Sequence, residues 1–156
     1  MLETYYLDGL INDCLFLEDT GPFGLLEFPM NVKLVAAPFS PSKTLAEDDL
    51  VLATFTGGAP KTLPVGPQLP VYDTPSKRWG LMLKEPAGGL NFVCSSAPAE
   101  PETIYGFIVN GPYGLYFSGL LPDGPKVISN IGDFVSLSSL MGFLPSDLFP
   151  ELPPSV

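Results

Sequence analysis

The chain has 156 residues, enough for one domain with a real core and too few for two. It carries 17 acidic residues, 7 basic residues and no histidine, so its net charge is −10. This balance argues against direct nucleic-acid binding, which needs Lys and Arg against phosphate. The lack of histidine removes the usual base of Ser and Cys nucleophiles and most zinc sites. We therefore expect no enzyme, no metal and no cofactor.

Glycine and proline shape the expected fold. The chain has 16 Gly and 19 Pro without a fixed period, and 46% of its residues are hydrophobic. Prolines at this density interrupt helices and limit strands to short runs between turns. The composition predicts an all-β protein, a small β-sandwich or a jelly-roll-like barrel.

Residues 1–31 differ from the rest and are predicted to form an N-terminal arm. The apolar residues Leu7, Leu10, Ile11 and Leu15 fall near helical spacing, but Gly9 interrupts the pattern, so a short helix and an extended strand both remain open. The arm has no basic segment before an apolar run, and we expect no signal peptide. No run in the chain reaches the length of a membrane span.

Strand patterns begin at Val32, where the predicted body, residues 32–144, starts. "VKLVAAPF" is a candidate strand, and a single helical turn capped by Ser42 or Thr44 should follow it. "VLATFTGG" alternates as a strand would and ends in a Gly-Gly turn. Residues 59–75 contain five prolines and are predicted to be a loop. "RWGLMLKEPAGGLNFVCSS" is predicted to be a hairpin around Pro-Ala-Gly-Gly.

Four more short strands are predicted in "TIYGFIV", "LYFSGLL", "KVISN" and "DFVSLSSL", with a turn about every ten residues, as in sandwiches and barrels. "TIYGFIV" is apolar on both faces, so both must be covered. Neighbours of an opposite sheet or a copy of the same chain could cover the second face, and we favour the copy. The proline-rich residues 145–156 should form an extended C-terminal tail.

Acidic residues and thiols give little sign of chemistry. Asp73, Asp123 and Asp133 all lie in turn-forming contexts, and the triplet from Glu47 to Asp49 lacks the spacing of a calcium loop. Their predicted role is structural. The distant pair Cys14 and Cys94 suggests neither a zinc site nor a disulfide framework, and two buried free thiols are expected. The acidic surface should keep the chain soluble, although it could also dock on a basic partner.

Aromatic residues leave two interpretations open. Trp79 follows Lys77 and Arg78, and it could be a binding hot spot or a core residue at the start of a strand. The run that includes Tyr105 and Phe107 could be a sugar-binding platform, but a core or a subunit interface is the favoured account.

The order of these segments resembles that of small virion proteins of tailed bacteriophages. The resemblance rests on "VKLVAAPFSPSKTLAEDDLVLATFTG", then "PETIYGFIV", then "KVISNIGDFVSLS", and it covers roughly residues 32–138. It is a pattern of strand and turn residues without a catalytic motif. It implies a non-enzymatic structural protein of the virion, synthesised in the host cytoplasm.

Within that class we expect a capsid decoration or cement protein that binds capsomers, self-associates, possibly as a trimer, and contacts a phage capsid or tail protein. Neither a membrane nor nucleic acid is an expected partner. A phage tail adaptor or fibre-associated protein is one alternative, and a carbohydrate-binding β-sandwich is another. The predicted interface residues are Leu7, Leu10, Ile11, Leu15, Trp79, Tyr105, Phe107, Leu148, Phe149 and Leu152.

Overall fold

A computed structural model describes residues 15–17, 21–23, 30–41, 45–63, 69–73, 78–82, 86–111, 114–138 and 141–143. These residues form antiparallel strands and one short 3-10 turn, Glu47–Asp49. For the described part of the chain, the prediction of an all-β fold is therefore confirmed. The strands are β1 (Leu15–Leu17), β2 (Gly21–Phe23), β3 (Met30–Val35), β4 (Lys61–Leu63), β5 (Leu69–Asp73), β6 (Arg78–Met82), β7 (Leu90–Val93), β8 (Glu102–Ile104), β9 (Gly106–Gly111), β10 (Gly114–Leu120), β11 (Lys126–Ile128), β12 (Phe134–Leu137) and β13 (Met141–Phe143).

The largest sheet has four strands in the order β10-β9-β3-β4. Its central pair, β3 and β9, aligns Val32 with Val109, and the β9–β10 hairpin aligns Ile108 with Ser118. A β-bulge between Leu115 and Phe117 shifts the register of β10. Strands with apolar residues on both faces suit the centre of this sheet, because both of their faces can be covered.

The remaining strands form smaller open sheets. They pair as β1-β2, β11-β8, β12-β7 and β13-β6-β5. In β7 and β12, buried and exposed residues alternate along each strand, as expected for a sheet with one face on a core and one in solvent.

One hydrophobic core joins the four-stranded sheet to the pairs β7–β12 and β8–β11. The largest fully buried side chains are aromatic and come from three different strands: Phe92, Phe107 and Phe117. The other buried members of this cluster are Met30, Val32, Leu34, Phe55, Leu63, Leu90, Cys94, Ile104, Val109, Ile128, Val135 and Leu137.

The second face of β9 is covered by the chain itself, through residues 36–41 and 45–52, which we call the covering segment. On this face Val35, Ile108 and Leu115 are buried, and Phe39, Leu45, Leu50 and Leu52 pack against them. A copy of the chain was the favoured cover from the sequence, and that expectation is wrong at this face.

Backbone pairing closes the covering segment into a loop. Ala36 N–H donates to Val51 O at 2.7 Å, Ala53 N–H donates to Leu34 O at 3.0 Å, and Val35 bridges Leu52. Phe39 lies over Gly106, where an added Cβ would be 2.7 Å from its ring. Glycine at that position therefore provides the space in which Phe39 packs on the sheet.

Several predicted elements are confirmed. The strand from Val32 and strands β10, β11 and β12 occur where the sequence predicted them, and β3 begins at Met30. The predicted helical turn is present as Glu47–Asp49, but its N-cap is Ala46 and no side chain caps it. Ser42 and Thr44, the predicted caps, lie outside the described residues.

Other predicted elements are wrong. The predicted loop 59–75 contains β4 and β5, and the predicted hairpin of β6 with β7 does not form. Instead β6 pairs with β5 and β13, whereas β7 pairs with β12. "VLATFTGG" makes only isolated bridges, at Leu52 and Thr56, rather than a strand.

"TIYGFIV" forms two strands rather than one. Tyr105 separates β8, which pairs with β11, from β9, which pairs with β3 and β10. Ile104 and Phe107 both enter the same core, although three positions separate them. The alternation of buried residues therefore changes phase at Tyr105.

Candidate functional site

The outer face of the β7–β12 pair exposes two large apolar side chains side by side. The strand register places Val93 directly opposite Phe134, and their side chains are 48% and 46% exposed. Directly opposed residues on one face of an antiparallel pair lie close enough for their side chains to touch. We call Val93 and Phe134 the apolar patch. The next outward pair on this face, Asn91 opposite Ser136, is polar.

A lysine lies over the patch. Lys126 Nζ is 4.1 Å from the centre of the Phe134 ring, which is a cation–π distance. Lys126 begins β11, so this contact connects β11 to the outer face of β12. The aromatic ring therefore has one side against a cation and remains half exposed.

A tight turn beside the patch carries a third exposed apolar residue, Ile131, which is 69% exposed. Asp133 fixes this turn, because its Oδ2 accepts hydrogen bonds from the backbone N–H groups of Ser129 and Asn130, each at 2.8 Å. These bonds stabilise the charged form and lower the pKa of Asp133 from its ordinary value of 3.8, with a smaller contribution from Lys126. The predicted turn role of Asp133 is confirmed.

A cleft of about 550 Å³ lies next to the connection that precedes β8. Its lining combines apolar residues (Phe55, Pro98 and Pro101) with two acidic residues, Glu100 and Glu102. The other lining residues are Thr54, Thr56, Ser96, Ala97 and Ala99.

Glu102 is held in place within the cleft by one residue. Thr54 donates its backbone N–H to Glu102 Oε1 and its Oγ1–H to Glu102 Oε2, both at 2.7 Å. Thr56 and Ser96, which also line the cleft, form an isolated antiparallel β-bridge. Gly57 follows Thr56 with a φ of +108°, and a Cβ added there would be 1.8 Å from Val93 O. Both features exclude a side chain at this position.

Glu47 holds the covering segment against the sheet through polar contacts with Lys33 and Asn110. Glu47 forms a salt bridge with Lys33, and Asn110 Nδ2–H donates to Glu47 Oε2 at 2.5 Å. Asn110 Oδ1 and Ser118 Oγ are buried and have no hydrogen-bond partner among the described residues. Of the acidic triplet, Asp48 and Asp49 are exposed, as predicted for a solvated turn, whereas Glu47 contacts β3 and β9.

The predicted interface residues are dispersed. Tyr105 is half-buried between β8 and β9, and Phe107 is in the core at 1% exposure. Leu15 lies in β1, aligned with Phe23, and Trp79 lies in β6, aligned with Tyr72. The assignment of these residues to an interface stays a prediction. Leu7, Leu10, Ile11, Leu148, Phe149 and Leu152 lie outside the described residues.

Comparison with known protein families, curated proteins and solved structures gave no match.

The described part of the chain shows neither a metal-binding cluster nor a membrane-spanning helix. Its side chains include no group of three His, Cys, Asp or Glu residues that could hold a metal ion. No helix there has both the length and the apolar character to cross a membrane. Cys94 is a buried free thiol, as predicted, and Cys14 lies outside the described residues.

The sequence alone missed the patch and the cleft. Val93 and Phe134 sit in strands that the pattern detected, but only the pairing of β7 with β12 places them together. Their alternation with buried Phe92 and Val135 was the available signal of an outward-facing pair. The Thr54–Glu102 contact joins residues 48 positions apart and has no local signature.

Proposed function

We propose that the chain is a non-enzymatic structural protein of a tailed-phage particle that acts by association, most simply as a capsid decoration protein. The observation that carries the proposal is the apolar patch, where Val93 and Phe134 face solvent together at about half exposure. The resemblance of residues 32–138 to small virion proteins supplies the virion context.

The body of this protein is proposed to be a β-sandwich. The four-stranded sheet would form one layer, and the pairs β7–β12 and β8–β11 would form the other. The shared core of these strands supports this arrangement. In a sandwich, the patch lies on the outer surface of the second layer, where another subunit can reach it. The N-terminal arm and the tail would add contacts with neighbouring subunits.

The patch has the composition of a small association site. Burying a Val or Phe side chain stabilises a complex by roughly 1.5–3 kcal/mol relative to leaving it exposed. Around it, Asn91, Ser136 and Lys126 supply the polar rim that interfaces usually have. Two such side chains are a modest contribution, so we expect association to be concentration-dependent unless further surfaces join it.

The first test is the solution mass by light scattering over a concentration series. We expect the wild-type chain to form a discrete oligomer and the double variant Val93→Ser/Phe134→Ser to shift towards the monomer at equal concentration. The control is Val51→Ser/Val127→Ser, which removes two side chains of similar exposure, 56% and 52%, outside the patch. Circular dichroism checks that both variants are folded. A wild-type chain that stays monomeric throughout, or equal losses in both variants, would contradict self-association through the patch.

The second test separates the proposed location from a tail location. A decoration protein should add to preformed empty capsids of the phage that encodes it, and a tail component should not. Sedimentation of the shells with labelled chain measures this binding. If the labelled chain does not co-sediment, the capsid assignment is wrong and the tail adaptor is favoured.

A further inference from the structure

The cleft beside β8 is separate from the apolar patch, and the association proposed above does not use it. Its charged residues are Glu100 and Glu102, both acidic. The lysines whose side chains the structure describes are all engaged elsewhere. Lys33 pairs with Glu47, Lys61 lies over Phe92, and Lys126 lies over Phe134. Among the described lysines, none forms a salt bridge with Glu100 or Glu102.

Glu102 is positioned before any ligand arrives. Its two oxygens each accept one hydrogen bond from Thr54, and a carboxylate oxygen has two acceptor positions. One acceptor position on each oxygen therefore remains after the carboxylate has been fixed. A ligand that binds a fixed group does not have to order it, so less conformational entropy is lost on binding.

The residues that line the cleft favour a ligand with both an apolar part and a positive charge. Pro98 and Pro101 provide accessible apolar surface in the same cleft as Glu100 and Glu102. Lysine and arginine side chains combine an apolar stem with a charged head, and they bury the stem while the head reaches a polar group. The volume, about 550 Å³, lies in the range of ligand-binding clefts and exceeds the needs of a metal ion or a single ammonium group.

We propose that this cleft binds a lysine or arginine side chain presented by an extended segment of a partner protein. The aliphatic stem packs on Pro98 and Pro101, and the cationic head bonds to Glu102 and Glu100. The net charge of −10 attracts such a segment from a distance. The cleft thus gives the acidic chain a defined docking position for a basic partner.

The test uses NMR titration of the full ¹⁵N-labelled chain with the tripeptide Gly-Lys-Gly, acetylated and amidated at its ends. Parallel titrations use Gly-Arg-Gly and the norleucine analogue, which keeps the stem and lacks the charge. We expect the lysine and arginine peptides to shift the backbone amides of Thr54, Thr56, Ala97, Ala99 and Glu102, and the norleucine peptide to leave them unchanged. Binding should weaken with added salt.

Variants decide whether the named carboxylate is responsible. Glu102→Gln should lower the affinity for the lysine peptide by up to about fivefold, the upper end for one solvent-accessible ion pair. Asp48→Asn is the matched control, because it removes one negative charge at an exposed residue outside the cleft. Equal losses in the two variants, shifts confined to other surfaces, equal binding of the norleucine peptide, or no shift at millimolar peptide would each overturn the proposal. The patch variant Val93→Ser/Phe134→Ser should bind the peptide normally, so failure of either proposal is distinguishable.

Discussion

The outer face of the four-stranded sheet and the outer face of the β7–β12 pair both carry apolar side chains, but only the first is covered. Both carry apolar residues on a face that points away from the main core. The first is covered by residues 36–41 and 45–52 of the same chain, which bury Ile108 completely. The second leaves Phe134 about half exposed. Apolar residues in a strand therefore do not reveal whether its second face is buried or exposed. That depends on whether a neighbouring loop folds over the face.

The largest expected difference between the two faces should appear when one apolar side chain on each is truncated. Ile108→Ala should lower the free energy of unfolding by about 2–5 kcal/mol, because it leaves a cavity under the covering segment. Phe134→Ala should change it by less than about 1 kcal/mol, because the ring is already half in solvent. Urea denaturation followed by circular dichroism measures both. Equal losses would mean that the two faces are equally buried in solution.

A smaller loss in the free energy of unfolding should result from removing the polar contacts that hold the covering segment. Glu47→Ala removes the salt bridge to Lys33 and leaves Asn110 Nδ2 without its acceptor in a nearly buried side chain. We expect a loss of about 1–3 kcal/mol, the usual cost of an unpaired buried donor. Asp48→Ala, one position along the same turn, removes the same charge from an exposed residue and should be nearly neutral. Identical unfolding midpoints for the two variants would show that Glu47 does not hold the segment.

The smallest effect concerns the turn beside the apolar patch and depends on pH. Asp133 has a lowered pKa in the folded chain, so its charged form is stabilised by folding. Its contribution is therefore present above the ordinary pKa of 3.8 and is lost as the pH falls through the lower folded value. Asp133→Asn should be slightly less stable than the wild type at pH 7, and the difference should shrink as the pH falls below 3.8. A difference that persists unchanged at low pH would rule out the carboxylate as its source.

The sequence predicted many of the strands, because apolar and polar residues alternate between neighbouring positions along a strand. The buried and exposed positions of β12 follow this rule from Phe134 to Leu137. β4 and β5 were missed, because five prolines in residues 59–75 suggested a loop, and Pro70 nevertheless lies within β5. Proline is compatible with strands where its missing N–H is not needed for pairing.

Long-range pairing could not be read from the sequence. Pro-Ala-Gly-Gly contains residues typical of hairpin turns. Nevertheless, β6 and β7 on either side of it join different sheets. The same limit applies to the candidate sites. Phe134 meets Val93 from 41 positions away in the numbering, and Glu102 meets Thr54 from 48. Such contacts depend on how the sheets close around the core, which local propensity does not encode.

The junction at Tyr105 has a consequence for how this chain could diverge. Tyr105 N–H donates to Val35 O at 2.9 Å, and Tyr105 O accepts from Leu121 N–H at 3.0 Å, so the residue is tied on both sides. Adding or deleting one residue there would exchange the two sides of β9, sending Ile108 inward and Phe107 outward. Insertions should therefore accumulate in the loops of this protein and be purged from the β8–β9 junction, where single-residue length changes are far more disruptive than substitutions.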